Sequence, residues 1–206
     1  MSSELIFYTN PMSRGRTVRW MLEETGTPYK TELLEYGTTM KAAAYLAINP
    51  MGKVPAIKHG DTVVTETAAI CAYLADAFPQ ANLAPALADR GAYYRWLFFG
   101  AGPLEQAFVN KALGVQVPEE RKRMTGYGSL EEVVDALDKR LQESPYFAGK
   151  TFTAADVYTG GLIGWLTHFG MIEKRPAFMD YLSRITVRPG FVRAQQIDEA
   201  LIPKKE

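Results

Sequence analysis

Residues 49–67 of this 206-residue chain read NPMGKVPAIKHGDTVVTET. Asn49-Pro50 ends a preceding helical pattern, and two short β-rich runs follow, with Gly60-Asp61 between them. A Gly-Asp pair between two such runs is typical of a two-residue hairpin turn, which joins antiparallel strands. We therefore predict that the third and fourth strands form a hairpin, and that Glu66 to Phe78 forms the helix after it.

Strands and helices alternate on the N-terminal side of this hairpin. A β-rich run from Leu5 to Tyr8 precedes a helical pattern that ends at Gly26. Lys30 to Leu34 alternates weakly as a second strand, and Thr39 to Ile48 has a helical pattern. The order β-α-β-α-β-β-α predicts a mixed sheet flanked by helices, because a parallel β-α-β unit leads into an antiparallel hairpin.

The sequence changes character after Pro79. Residues 80–88 contain Pro85 and four alanines without sustained periodicity, which favours a linker. Helical patterns dominate the remainder. The predicted fold class is a thioredoxin-like α/β domain over residues 1–79, a linker over 80–88 and an all-α domain over 89–206.

Composition is that of a globular protein. Hydrophobic residues make up 47% and charged residues 22% of the chain, far from the composition of disordered chains. Because 23 basic residues balance 23 acidic ones, there is no basic excess for binding nucleic acid through its phosphates. The N-terminus lacks the pattern of a signal peptide, and no apolar run reaches the ~18 residues that span a membrane. We therefore predict a cytoplasmic protein with neither a nucleic-acid nor a membrane partner.

The single cysteine, Cys71, excludes an internal disulfide and zinc sites built from cysteine pairs. The two histidines, His59 and His168, lack neighbours at metal-ligand spacing. We therefore predict no metal site.

Three positions have both a structural and a functional interpretation. Val54-Pro55 is either an ordinary trans proline at a strand edge or a cis bond that turns the polar backbone groups of Val54 toward a peptide-like ligand. Glu66 and Thr67 either cap a helix or hold the ammonium and carboxylate of an amino-acid head group. Ser13 is either an N-cap or a hydroxyl donor to a bound thiolate. Lowering the pKa of a thiol by about two units requires ~2.7 kcal/mol. A hydrogen bond to the charged thiolate supplies about 1.5–3 kcal/mol and the end of a helix about 0.3–1 kcal/mol, which together are enough.

Four segments in this order resemble the cytosolic glutathione S-transferases, and the resemblance extends over essentially the whole chain. The segments are YTNPMSRGR at 8–16, NPMGKVPAI at 49–57, TETAAICAYL at 65–74 and TAAD at 153–156. The pattern is similar to bacterial members with a serine-type active site, like those of the theta and phi classes. The resemblance implies glutathione as co-substrate, conjugation of its thiolate to a hydrophobic electrophile, and a homodimer.

The resemblance also implies which residues bind glutathione. Val54, beside a cis Pro55, would pair with the cysteinyl backbone, and Glu66 and Thr67 would hold the γ-glutamyl end. Lys41 and Lys53 would approach the glycyl carboxylate and the cysteinyl part. Lys53 departs from the glutamine that is more usual in such relatives.

The thiolate would be stabilised by Ser13, with Tyr8 and Asn10 as alternative donors. No cysteine stands at the donor position, which argues against members that form mixed disulfides. Two alternatives stay open: a glutathione-dependent peroxidase or disulfide reductase, and a non-catalytic ligand-binding or interaction module on the same fold.

The electrophile's pocket is expected to be apolar and to lie between the domains. Met12, Tyr94, Phe98 and Trp165 are its candidates, although aromatic residues at helical spacing are also typical of a plain core.

Overall fold

The structure is a computed structural model that describes residues 4–202. These residues divide into two compact units. The first contains residues 4–83 together with 187–202, and the second is Ala84–Thr186. The break after Leu83 lies inside the predicted linker, but the C-terminal residues join the first unit, unlike the predicted domain over 89–206.

A four-stranded mixed sheet forms the centre of the first unit. Its strands are β1 (Leu5–Thr9), β2 (Lys30–Leu33), β3 (Ala56–His59) and β4 (Thr62–Thr65), in the order β2-β1-β3-β4. β1 is parallel to β2, whereas β3 is antiparallel to both β1 and β4. His59 pairs with Thr62 across Gly60-Asp61, which confirms the predicted hairpin.

The helices of the first unit are α1 (Gly15–Thr25), α2 (Ala43–Leu46), α3 (Thr67–Ala77) and α9 (Pro189–Ala200), with 3₁₀ turns at Thr39–Lys41 and Pro79–Ala81. Gly26 ends α1 as predicted: its φ of 66° is left-handed, and its N–H donates to the carbonyl of Leu22. The single helix predicted over Thr39 to Ile48 is wrong. The extended backbone of Ala42 (φ −70°, ψ 146°) separates a 3₁₀ turn from the short α2.

The second unit is helical. Its α-helices are α4 (Gly91–Phe99), α5 (Glu105–Ala112), α6 (Leu130–Glu143), α7 (Gly161–His168) and α8 (Pro176–Ile185), with 3₁₀ turns at Leu87–Asp89 and Glu119–Met124. π-helical turns at Gly100–Leu104 and Asp156–Gly160 join α4 to α5 and lead into α7. The predicted fold class, a thioredoxin-like domain with a helical domain, is confirmed.

A buried carboxylate organises the start of the helix that leads into α7. Oδ2 of Asp156 accepts hydrogen bonds from the N–H of Thr153 (2.9 Å) and from its hydroxyl (3.1 Å). Oδ1 accepts from the N–H of Phe147 and from the hydroxyl of Tyr181, both at 2.9 Å. Both the N–H and the hydroxyl of Thr153 thus donate to the Asp156 carboxylate at the start of this helix.

Within residues 4–202, no helix combines the length and the apolar character needed to cross a lipid bilayer.

Candidate active site

The candidate glutathione-binding residues converge at one end of the sheet. Tyr8 near the C-terminal end of β1 pairs with Ala56 at the start of β3, and Ala56 pairs with Thr65 at the end of β4. The β1–α1 loop, the Val54-Pro55 bond and the Glu66-Thr67 pair therefore all adjoin the same end of the sheet. Sequence reasoning placed these motifs on separate elements, and the antiparallel register is what brings them together.

Ser13 is held within the β1–α1 loop. Its hydroxyl donates to the carbonyl of Asn10 at 2.7 Å, and its Oγ accepts the N–H of Gly15 at 2.9 Å. Ser13 therefore satisfies one free amide at the start of α1, although the helix boundary makes Arg14 the formal capping residue. A thiolate would have to replace the Asn10 carbonyl as acceptor of the Ser13 proton.

Asn10 ties this loop to the end of β2. Its Nδ2 donates to the carbonyl of Leu34 at 2.8 Å, and its Oδ1 accepts the N–H of Met12 at 2.9 Å. The N–H of Leu34 in turn donates to the carbonyl of Thr9 at 2.8 Å. These hydrogen bonds therefore attach the β1–α1 loop, which would face the thiol, to the end of β2.

Tyr8 packs beside the same loop in a small apolar cluster with Met40, Tyr45 and Ala56. Its ring centroid lies 5.5 Å from that of Tyr45. Burial, followed by the negative charges of Glu32 and Glu4, raises the pKa of Tyr8. The raised pKa favours the neutral hydroxyl, which can donate or accept a hydrogen bond.

Gly15 is a site residue that the sequence analysis did not single out. A Cβ atom at this position would lie 1.9 Å from Oγ1 of Thr9, which is fully buried. Glycine thus allows α1 to begin directly against the end of β1. Its place in Arg14-Gly15-Arg16 was the only signal in the sequence.

The Val54-Pro55 peptide bond is cis, so the trans alternative is wrong. The loop before it is held by its own hydrogen bonds: the carbonyl of Lys53 accepts from the hydroxyl of Tyr45 at 2.6 Å and from Nδ2 of Asn49 at 2.8 Å. Asn49 is 4% exposed, and its Oδ1 also accepts the N–H of Met51 at 3.1 Å, so both polar atoms of this buried amide have a partner.

Glu66 has a left-handed backbone, with φ 66° and ψ 119°, immediately before α3. Its side chain is exposed, and Thr67 opens the helix from a nearly buried position. Within the described part of the chain, the Glu66 side chain makes no capping hydrogen bond to α3, so capping does not account for this residue. Non-glycine residues in such regions are often found at functional sites.

Lys41 ends the 3₁₀ turn before α2, and Lys53 lies on the loop between α2 and β3. Nζ of Lys41 donates to the carbonyl of Met51 at 2.9 Å, and the Lys53 side chain is exposed. Gly52 (φ 56°) is packed so closely that a Cβ there would lie 2.9 Å from Nζ of Lys41. Both lysines are exposed, and the Lys41 ammonium contacts the loop that leads to the cis bond.

The four residues predicted to form the electrophile's pocket are all exposed rather than part of the core. Met12 lies in the first unit, and Tyr94 and Phe98 lie on α4. Trp165 on α7 has its ring 5.8 Å from that of Phe108. Their membership of one pocket stays a prediction.

Comparisons with known proteins agree with this architecture. Residues 12–77 match the family described as glutathione S-transferase, N-terminal domain, and residues 115–184 match glutathione S-transferase, C-terminal domain. Glutathione S-transferase GstA of Escherichia coli O157:H7 is 33% identical over 149 residues, covering 70% of this chain and 73% of that protein. Glutathione S-transferase 3 of Zea mays is 30% identical over 190 residues, covering 84% and 85%.

Solved structures show the same likeness. A sphingomonad glutathione S-transferase complexed with glutathione superposes with a TM-score of 0.76 and is 29% identical, covering 94% of this chain and 98% of that one. A glutathione transferase from Methylococcus capsulatus gives a TM-score of 0.79 at 28% identity, covering 95% and 99%. The chain belongs to the glutathione S-transferase family and is an enzyme of that class.

Proposed function

We propose that this chain joins the thiolate of glutathione to an electrophilic carbon of a hydrophobic compound. The observation that carries the proposal is the convergence of the β1–α1 loop, the cis Val54-Pro55 bond and the Glu66-Thr67 pair at one end of the sheet. These groups match the parts of one tripeptide: a thiol, a central peptide backbone and an amino-acid head group.

Each part of glutathione has a partner of suitable chemistry. The backbone of Val54 would pair with the cysteinyl residue, Glu66 with the γ-glutamyl ammonium, and Thr67 at the start of α3 with the γ-glutamyl carboxylate. Lys41 and Lys53, with their surface ammonium groups, would attract the glycyl carboxylate. Each charged group of glutathione would thus face a side chain or a helix end of opposite charge.

The thiol would lie at the β1–α1 loop, where Ser13 is the preferred donor and Tyr8 and Asn10 are the alternatives. Turning the Ser13 proton from the Asn10 carbonyl to the sulfur would stabilise the thiolate at the start of α1, where the positive end of the helix dipole also favours negative charge. The sulfur then forms a bond to carbon as the leaving group departs with the bonding electron pair. The protein's own thiol is unsuited to this role, because Cys71 is buried and burial raises its pKa.

The test is the pH dependence of conjugation to a chloroaromatic acceptor in Ser13→Ala, Tyr8→Phe and Asn10→Ala variants. We expect Ser13→Ala to shift the rate profile to higher pH and to lower kcat, with glutathione affinity by calorimetry largely retained. Ser183→Ala is a matched control, because the Ser183 hydroxyl also donates to the carbonyl three residues earlier, at 2.7 Å. An unchanged profile in Ser13→Ala, with a shift in one of the other two variants, would transfer the role to that donor.

Parallel assays with an organic hydroperoxide and a mixed disulfide test the peroxidase and reductase alternative. An absence of glutathione binding would instead favour the non-catalytic module. We also propose a homodimer, to be checked by sedimentation; the cytoplasmic location stays a prediction.

A further inference from the structure

A fully buried ion pair joins α9 to α1. Helix α1 follows the β1–α1 loop, where the thiol of glutathione would lie and which is called the candidate thiol loop below. Arg19 in α1 and Asp198 in α9 are each 1% exposed, and Nε of Arg19 lies 2.7 Å from Oδ1 of Asp198. Nη2 of Arg19 and Oδ2 of Asp198 are buried and have no hydrogen-bond partner among residues 4–202. A buried pair that is only partly satisfied contributes little to stability, because the lost hydration is not fully offset. Stability is therefore a poor explanation for this pair.

The contacts of Arg19 suggest a geometric role. Its Nη1 donates to the hydroxyl of Tyr29 at 3.2 Å and to Oγ1 of Thr31 in β2 at 3.3 Å. Its guanidinium carbon lies 5.1 Å from the ring centroid of Phe7 in β1. One cation thus contacts β1, β2 and α9 from its position in α1.

These contacts lie close to the candidate thiol loop along both elements that carry it. Phe7 is followed in β1 by Tyr8 and Thr9, and Gly15, which abuts Thr9, is about one helical turn before Arg19. Because Gly15 at the start of α1 packs directly against Thr9, a displacement of α1 would also move the loop residues that precede the helix.

We propose that Arg19 and Asp198 are positioning residues, which hold α1 at the depth where the Ser13 hydroxyl and the positive end of the helix dipole face the thiol of glutathione. Neither side chain touches the substrate; they act through the position of α1. This inference rests on the proposed function.

Other contacts keep α9 on α1 when the buried pair is replaced. Arg188 donates to both carboxylate oxygens of Glu24 at 2.9 and 2.7 Å, and Arg193 donates to Oε2 of Glu23 at 3.0 Å. Trp20 in α1 meets Phe191 in α9, with ring centroids 4.9 Å apart. Variants of the buried pair can therefore keep the helix docked.

The experiment uses the full chain with the double variant Arg19→Met/Asp198→Leu and the control Glu199→Gln. Glu199 belongs to an exposed pair between the same two helices, 3.9 Å from Arg16. Urea unfolding, calorimetry with glutathione and the pH dependence of kcat are measured on each. We expect the double variant to unfold as cooperatively as the parent but to lose about 10- to 100-fold in kcat, the effect of a small misplacement of reacting groups. Its rate profile should shift to higher pH with little change in glutathione affinity.

The proposal is overturned if the double variant recovers both the stability and the rate profile of the parent, because the pair would then be structural only. It is also overturned if Glu199→Gln shifts the profile equally. A parent protein that neither binds glutathione nor turns over any electrophile would refute the proposed function as well. An active parent whose double variant matches it would refute only the positioning role and not the proposed function.

Discussion

At the scale of single residues, Glu66 combines an unfavourable backbone conformation with a candidate ligand-binding side chain. Its φ of 66° is costly for a residue with a Cβ atom, by about 1–3 kcal/mol. We expect Glu66→Gly to be more stable than Glu66→Ala by about 1 kcal/mol, because glycine adopts this conformation freely. Both variants should lose affinity for glutathione, since both lack the carboxylate.

Urea unfolding and calorimetry measure the two effects separately. Asn82→Gly is the control, because Asn82 also has a positive φ, 53°, in a region that asparagine tolerates. It should change stability little and glutathione affinity not at all. Equal stability of the Glu66→Gly and Glu66→Ala variants would contradict the strain argument.

The contact between Gly15 and Thr9 yields a second prediction at this scale. Gly15→Ala should lower the free energy of unfolding by about 1–3 kcal/mol, because the new methyl group would lie 1.9 Å from Oγ1 of a buried threonine. The double variant Thr9→Ala/Gly15→Ala should regain part of this loss. Gly91→Ala is the control, since nothing lies within 4 Å of a Cβ there. A double variant no more stable than Gly15→Ala would refute the clash.

At the scale of elements, the start of the α7 segment depends on one carboxylate. Asp156→Ala would leave the N–H groups of Phe147 and Thr153 without their acceptor in a buried place. We expect a loss of about 3 kcal/mol or more in the free energy of unfolding, since each buried unpaired group costs about 1–3 kcal/mol. Ser129→Ala, which removes the exposed capping box of α6, should cost only about 1 kcal/mol. Equal losses in the two variants would argue against a special role for Asp156.

The same carboxylate predicts a pH dependence of stability. Burial raises the pKa of Asp156 in the folded protein to about 6, although its four hydrogen-bond donors act to lower it. In the unfolded chain the pKa of an aspartate is near ~3.9. Between these values the folded protein binds a proton that the unfolded chain does not, so stability is lost as pH rises from about 4 through about 6. Relative to Asp156→Asn, the parent should lose up to about 2–3 kcal/mol over this window. Urea midpoints measured across the window provide the check, and parallel curves for the two proteins would contradict it.

At the scale of the whole molecule, the first unit is completed by a segment from the far end of the sequence. A chain that ends at Thr186 would lose α9, which supplies the counter-ion of Arg19 and the ring against Trp20. Removing one partner of a buried ion pair costs about 3–5 kcal/mol. We therefore expect this truncated chain to lose glutathione binding, measured by calorimetry, while Val187→Ala, at an exposed position, should keep it. Retained binding in the truncated chain would show that the first unit is stable without α9.

The sequence by itself determined the features that depend on neighbouring residues. The Gly60-Asp61 hairpin, the Gly26 helix end and the order of elements follow from local backbone preferences and from the spacing of apolar side chains. The motifs around Ser13, Val54 and Glu66 were also sufficient to indicate the family.

Only the tertiary structure decided how those motifs meet. The register of β1, β3 and β4 brings the candidate site together, and the acceptor of the Ser13 proton is known only from the folded loop. The place of α9 likewise follows from contacts between residues far apart in the chain, such as Arg19 with Asp198. Local patterns predict such helices but not their partners, because ion pairing and packing depend on which surfaces the topology brings into contact.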